Sequence, residues 1–253
     1  MGFEKETLRV GGVDVVMLTA GSGPPLMFWH GAGTFTGFDF ALPWAQHFRV
    51  MIPFHPGFGL SGDDLSISST HDYVVHYLEI IDHLGLDQIN LVGFSMGGWL
   101  AATFASEHSH RLRKLVLVAP AGLPVPEHPT LDLLSVPPQD LPMMLAHDFN
   151  VVLPHLPKGE DPAFAAAGKR EIESLGRIAS AGPTDPKLPR RLHRIRVPTL
   201  ILWGAEDRVI PAGQLPVWAG LIPGATMRSF ANAGHLLLDE SPAAVESVAR
   251  FLS

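Results

Sequence analysis

The run Gly93-Phe94-Ser95-Met96-Gly97, followed by Gly98, places one serine among small residues. A serine hydroxyl is a weak nucleophile at neutral pH and needs an adjacent base. The pattern Gly-x-Ser-x-Gly supplies the positional half of that activation. Its serine sits on a sharp, strained strand-to-helix turn, and small neighbours let the chain cross that closely. The flanks suit such a turn: Ile89–Val92 reads as a buried strand, and the stretch from Met96 to about Ser109 as a helix.

The serine's base must be held in one tautomer by an acid. For a nucleophile on this kind of turn the chain order is serine, acid, histidine. Downstream, Thr199–Trp203 reads as a strand running into Gly204-Ala205-Glu206-Asp207, and Met227–Phe230 as another strand running into Asn232-Ala233-Gly234-His235. Asp207, just beyond a strand end, is the expected acid, with Glu206 as its competitor; His235 is the expected base. Acyl transfer also needs donors for a developing oxyanion. These are expected to be the backbone N–H groups of Met96 and of Ala32, the latter in the loop His30-Gly31-Ala32-Gly33 after the apolar run Pro25–Trp29. His30 is expected to bond that loop, not to take part in the chemistry. Phe35, Phe38, Phe94, Trp99, Met143 and Phe149 are expected to line an apolar substrate pocket.

Alternating elements must carry these groups. Leu8–Val10 and Val13–Leu18 flank Gly11-Gly12, a hairpin signal. Val50–Ile52 and Leu115–Val118 join the runs above as strands apolar on both faces, which suits parallel strands covered on both sides. Val74, Leu78, Ile81 and Leu84 recur at helical spacing, with Ser69 or Thr70 as N-cap and Gly85 as the stop. A last helix is expected over residues 242–251, opened by a proline in its first turn. Residues 122–190 break the pattern, holding 12 of the 23 prolines but five of the 25 glycines. Short helices over residues 141–147 and 162–181 are their expected content. Following a strand end, this segment should cover the carboxyl edge of the sheet, where α/β sheets bind ligands.

His30-Gly31, His55-Pro56-Gly57-Phe58-Gly59-Leu60-Ser61, the serine motif, Asp207 and Gly234-His235, in this order, resemble the α/β-hydrolase superfamily over almost the whole chain. The resemblance implies an α/β-hydrolase fold: an eight-stranded, mostly parallel sheet flanked by helices. It implies a core of residues 1–121 and 191–253, with residues 122–190 as a cap inserted after the sixth strand. It also implies Ser95 as nucleophile, Asp207 as acid and His235 as base, with no cofactor. Ser95-Met96-Gly97-Gly98-Trp99 is similar to esterases and to the meta-cleavage-product carbon–carbon hydrolases. That second group usually has Asn before the nucleophile, where Phe94 stands, and tends to have Trp after the histidine, where Leu236 stands. Haloalkane dehalogenases and epoxide hydrolases of this fold use an Asp nucleophile, from which Ser95 separates this chain. The expected reaction is hydrolysis of a small, mainly apolar carboxylic ester, thioester or lactone. The alternatives are carbon–carbon hydrolysis, cofactor-free perhydrolysis, and ligand reception without turnover.

Composition bounds the rest. Absence of cysteine excludes disulfides, thiolate metal sites and a cysteine nucleophile. The net charge of −7 gives no overall attraction to nucleic acid or anionic lipid. No run is apolar enough to span a bilayer, and Met1–Glu6 lacks the apolar core of a signal segment. A cytoplasmic protein acting on a small-molecule substrate, with neither nucleic acid nor membrane as partner, is expected. Gly57–Gly62 spells the dinucleotide fingerprint, but Asp63, Asp64 and serines follow where a helix should open, so a tight loop is expected. Lys187, Arg190, Arg191, Arg194 and Arg196 lack interleaved aromatics and read as a solvated face. His108 and His110 lack a third ligand, and no metal site is expected. In the cap, His128, His147, Asp148 and His155 are expected to face solvent.

Overall fold

Strands apolar at every position need cover on both faces, and the chain provides it. The structure, a computed structural model, describes residues 2–180 and 182–253. The strands are β1 (Glu4–Val10), β2 (Val13–Ala20), β3 (Pro25–Trp29), β4 (Arg49–Pro53), β5 (Ile89–Phe94), β6 (Leu112–Val118), β7 (Thr199–Gly204) and β8 (Thr226–Phe230). They form one sheet in the order β1-β2-β4-β3-β5-β6-β7-β8. The β1–β2 and β2–β4 pairs are antiparallel and all others parallel, so the expected eight-stranded, mostly parallel α/β sheet is what forms. Gly11 and Gly12 close the hairpin at φ +57° and +83°, the conformation whose twist matches its strands.

The helices are α1 (Thr70–His83), α2 (Met96–His108), α3 (Leu141–Leu145), α4 (Pro162–Ile178), α5 (Pro189–Leu192), α6 (Leu215–Leu221), α7 (Leu237–Glu240) and α8 (Pro242–Leu252). Strand alternation sorts the core into two layers. Met27, Trp29, Leu91, Leu117 and Trp203 pack with α1, α2 and α6 on one face. Leu26, Phe28, Val92, Val116 and Leu202 pack with α7, α8 and the 3-10 helix Asp39–Gln46 on the other. α2 is buried from Met96 through Ser106, which explains why its sequence is apolar all round rather than striped. α1 opens on a capping box: the Ser69 hydroxyl accepts the Asp72 N–H, and the Asp72 carboxylate accepts the Ser69 N–H.

Between β6 and β7 the described residues form no strand beyond the isolated Gly122–Thr184 bridge; α3, α4, α5 and short 3-10 turns occupy the interval. The expected helix over 141–147 is the shorter α3. The one expected over 162–181 is α4, whose Asp161 carboxylate caps the Ala163 and Phe164 N–H groups. Ala181, the expected end of that helix, and Met1 lie outside the described residues. Among the described residues no helix is long and apolar enough to cross a membrane.

Candidate active site

β5 ends and α2 begins around a single strained residue. Ser95 has φ 53° and ψ −118°, outside the regions a side chain prefers, at a cost of about 1–3 kcal/mol. The surroundings hold it there. The Ser95 N–H donates to Val118 O at 3.0 Å, and Ser95 O accepts the Trp99 and Ala121 N–H groups, each at 3.0 Å. The flanking glycines are required by contact. A Cβ on Gly97 would lie 2.1 Å from Trp29 O, and one on Gly93 would lie 2.6 Å from the Ala101 Cβ.

The loops after β7 and β8 bring an acid and a base to this serine. His235 Nδ1 lies 2.9 Å from Asp207 Oδ2, and His235 Nε2 lies 2.9 Å from Ser95 Oγ. A carboxylate only accepts, so Nδ1 carries the proton and donates it; Nε2 is then free to accept from the Ser95 hydroxyl. The other Asp207 oxygen, Oδ1, accepts the N–H groups of Val209 and Ile210, both at 2.8 Å. All three side chains are buried. Glu206 is exposed and meets its neighbours through its backbone N–H, which donates to Ala233 O. The Phe94 ring packs on the imidazole, 4.9 Å between centroids.

The loop after β3 is organised by two neutral histidines. His30 Nε2 accepts the His55 N–H at 3.0 Å, so its Nδ1 is the protonated nitrogen and donates to Gly31 O at 2.7 Å. His55 Nε2 donates to His30 O at 2.8 Å, and its Nδ1 accepts the Tyr77 hydroxyl. Burial drives the His30 pKa down to about 4 and that of His55 well below the ordinary value. Both rings are locked single tautomers, and His30 is a loop anchor as expected. Beyond it, Ala32 and Met96 line the cavity at Ser95. Among the described residues neither backbone N–H has a protein acceptor, leaving both free for a ligand oxygen.

The empty space there, counted out to open solvent, is about 450 Å³. Trp99 lines it. Leu131, Leu133, Leu175, Val209 and Ile210 line it too, and the sequence did not single them out. No periodicity in the irregular segment marks the first two. Val209 and Ile210 could have been found from Asp207, since the turn that anchors the acid also builds the wall.

Other expected pocket residues are placed elsewhere. Phe38 packs on Phe28, His30 and Phe54, because the 3-10 helix after it draws its ring into the second core layer. With Phe94 it borders a second cavity, of about 320 Å³, behind the His30–Gly33 loop. Asp239 also borders that cavity, its carboxyl pushed up to about 7 by burial. Phe35 stacks edge-on against Phe164 of α4. Phe149 joins Leu236 in a small cluster, and Met143 is 52% exposed. These correct the pocket expectation: local sequence gave each its apolar character but not its direction.

His128, His147, Asp148 and His155 are exposed. Gly57–Gly62 is a loop, with no helix until α1. In the basic run, Arg191 pairs with Asp185 and Glu107, and Arg194 donates to Ser106 O.

The sequence profile described as Alpha/beta hydrolase family matches residues 26–248. The 2-hydroxymuconate semialdehyde hydrolase of Pseudomonas sp. strain CF600 is 30% identical, over 96% of this chain and 89% of its own. The solved 2-hydroxy-6-oxo-6-phenylhexa-2,4-dienoate hydrolase of Rhodococcus sp. strain RHA1 superposes with TM-score 0.81 at 21% identity, covering 99% of this chain and 98% of its own. Naproxen esterase from Bacillus subtilis superposes with TM-score 0.77 at 20% identity, covering 99% and 92%. The two superpositions are likenesses of fold.

Proposed function

The chain belongs to the alpha/beta hydrolase family, and from that premise we propose that it is a serine hydrolase with Ser95, His235 and Asp207 as its triad and a small, mainly apolar carboxylic ester, thioester or lactone as its substrate. His235 Nε2 takes the Ser95 proton as Oγ attacks the carbonyl carbon. Asp207 holds the imidazole's tautomer and stabilises its charged form. The Ala32 and Met96 N–H groups receive the oxyanion, each worth about 3–4 kcal/mol of barrier. As the tetrahedral intermediate collapses, His235 returns the proton to the leaving oxygen or sulfur. Water, activated by the same imidazole, then releases the acid from the acyl-enzyme. Residues 122–190 form the cap in this reading, over a core of residues 1–121 and 191–253; Leu131, Leu133 and Leu175 are among its contributions to the pocket.

The observation that carries the ester reading is the charge of the cavity wall. Among the described residues no Lys or Arg lines it, and Asp132 does. An anionic substrate held there would lose hydration without a counter-ion, which costs several kcal/mol. Carbon–carbon hydrolysis is the second reading. It is supported by the 30% identity to the semialdehyde hydrolase. A dienoate substrate, as in the name of the Rhodococcus enzyme, carries the carboxylate that this wall disfavours.

Initial rates on p-nitrophenyl butyrate and on a 2-hydroxy-6-oxo-dienoate separate the readings. Ester turnover is expected to exceed dienoate cleavage and to fall by at least about 10³-fold in Ser95→Ala with unchanged thermal unfolding. Faster dienoate cleavage would overturn the ester reading. Ester turnover surviving in Ser95→Ala would overturn the nucleophile.

A further inference from the structure

α4 places a carboxylate where an apolar side chain would have sufficed for packing. Glu171 is 7% exposed, beside the buried Leu175 and Ile178 on the same helix. Its Oε1 accepts the Thr34 hydroxyl at 2.6 Å and the Gly59 N–H at 2.9 Å; its Oε2 accepts the Thr34 N–H at 3.3 Å. A buried carboxylate is retained only where donors repay its desolvation, and such a set specifies geometry.

What Glu171 holds is the loop that carries Ala32. Residues 31–36 belong to no strand or helix, so no ladder fixes the direction of the Ala32 N–H. On one side of Ala32 the loop is anchored by the His30 ring, which donates to Gly31 O. On the other side its polar anchor is Thr34, bonded through both hydroxyl and N–H to Glu171. The remaining polar seats of α4 go elsewhere: Arg170 to Gly59 O and Ser61 O, Ser174 to Gly57 O, and Arg177 to Asp63 at 2.6 Å. They fasten the helix to the 57–63 loop and leave Thr34 untouched.

We propose, resting on the serine-hydrolase reading above, that Glu171 is a positioning residue that couples seating of α4 to formation of the oxyanion hole, so that the Ala32 N–H is aligned only while α4 is docked. The coupling acts on the transition state. Its loss lowers kcat and leaves ground-state binding largely intact.

The test measures ester turnover per active site, with sites titrated by a fluorophosphonate, alongside inhibition by an alkylboronic acid and thermal unfolding. Glu171→Ala is expected to lower kcat per titrated site about 10- to 100-fold with KM within about threefold, and to raise the boronate Ki by the same factor. Glu171→Gln keeps an oxygen for both short bonds and is expected to stay within about threefold of wild type. Thr34→Val, which removes the hydroxyl donor, is expected to lose about tenfold. Arg177→Ala removes a tether that does not touch the loop, and is expected to keep kcat per site within about twofold. If Glu171→Ala lowers only the unfolding temperature, with kcat per titrated site at the wild-type value, Glu171 is merely structural and the proposal fails. It fails equally if Glu171→Gln is as slow as Glu171→Ala. A wild type that the fluorophosphonate does not label overturns the serine-hydrolase reading itself, an outcome distinct from both.

Discussion

Adding one methyl group at Gly97 tests the architecture of the oxyanion site without touching a reacting atom. A Cβ there would lie 2.1 Å from Trp29 O and 2.4 Å from His30 O. Carbon–oxygen contacts settle at about 3.3–3.6 Å, so the two walls must separate by about 1 Å. Neither wall yields alone. Trp29 pairs with Gly93 in the sheet. The start of α2 is held by the Ser95 N–H on Val118 O and by Ser95 O on the Trp99 and Ala121 N–H groups. The separation falls between the His30–Ala32 loop and Met96, the two sides that supply the proposed oxyanion donors. A displacement near 1 Å costs about 10²-fold in rate, and loss of a donor costs about 10²–10³. Overpacking costs a further ~1–3 kcal/mol of stability. Gly97→Ala is therefore expected to fold, to unfold at lower urea concentration, and to lose about 10²–10³ in ester kcat/KM per folded molecule. Steady-state rates corrected by circular dichroism and urea titration provide the check. A folded variant with kcat/KM within threefold of wild type would refute both the oxyanion assignment and the rigidity ascribed to the turn.

Asp207→Asn should reduce kcat by about 10⁴, because the amide no longer selects the productive imidazole tautomer, whereas Glu206→Gln should stay within about twofold; equal losses would return the acid role to both. Acid should destabilise the fold through His30 and His76, each driven down to about 4 chiefly by burial, and through His55, which burial drives well below its ordinary value. The unfolded chain takes up these protons near 6.5 and the folded chain does not, so the stability present above about pH 6.5 is lost as pH falls toward 4. At about 1.4 kcal/mol per pH unit, each group removes about 2 kcal/mol by pH 5. Asp239, raised to about 7, favours the fold as pH falls and opposes this loss, so the test isolates one group: between pH 7.5 and 5, urea unfolding should lose about 2 kcal/mol less in His76→Phe than in the wild type, and equal losses would contradict the assignment. Gly168→Ala and Gly176→Ala, where an added Cβ on α4 meets nothing within 4 Å, should each stabilise by about 0.4–1 kcal/mol, seen as a rise of about 1–4 °C in thermal unfolding.

The proposed reacting groups are legible in the chain because their chemistry is scarce and their order constrained. Few patterns place a serine between glycines after a buried strand, and Asp207 and His235 follow at strand ends in the order such a turn demands. The sheet was equally legible: runs apolar at every position need two covered faces, and Gly11-Gly12 with alternating neighbours makes a hairpin. These are local properties, set by side-chain period and backbone freedom over a few residues.

The shape of the pocket has no such local basis. Phe38 and Trp99 are both aromatic residues near the site, yet one ring enters the second core layer and the other borders the cavity at Ser95. Leu131, in an irregular stretch, and Leu175, on a helix, look like any other apolar residues until the fold carries them to the cavity at the serine. Between Asp207 and Glu206 the sequence offers only position in a loop; the N–H groups of Val209 and Ile210, aimed at a single oxygen of Asp207, are what the tertiary structure adds. Glu171 is the sharpest case. In sequence it is one more charge on a helix with a polar face, 137 residues from Thr34. Its partners are donors from two loops that meet only when α4 docks. Periodicity assigns a residue to a face of its own element, but what lies opposite that face depends on contacts far apart in the chain.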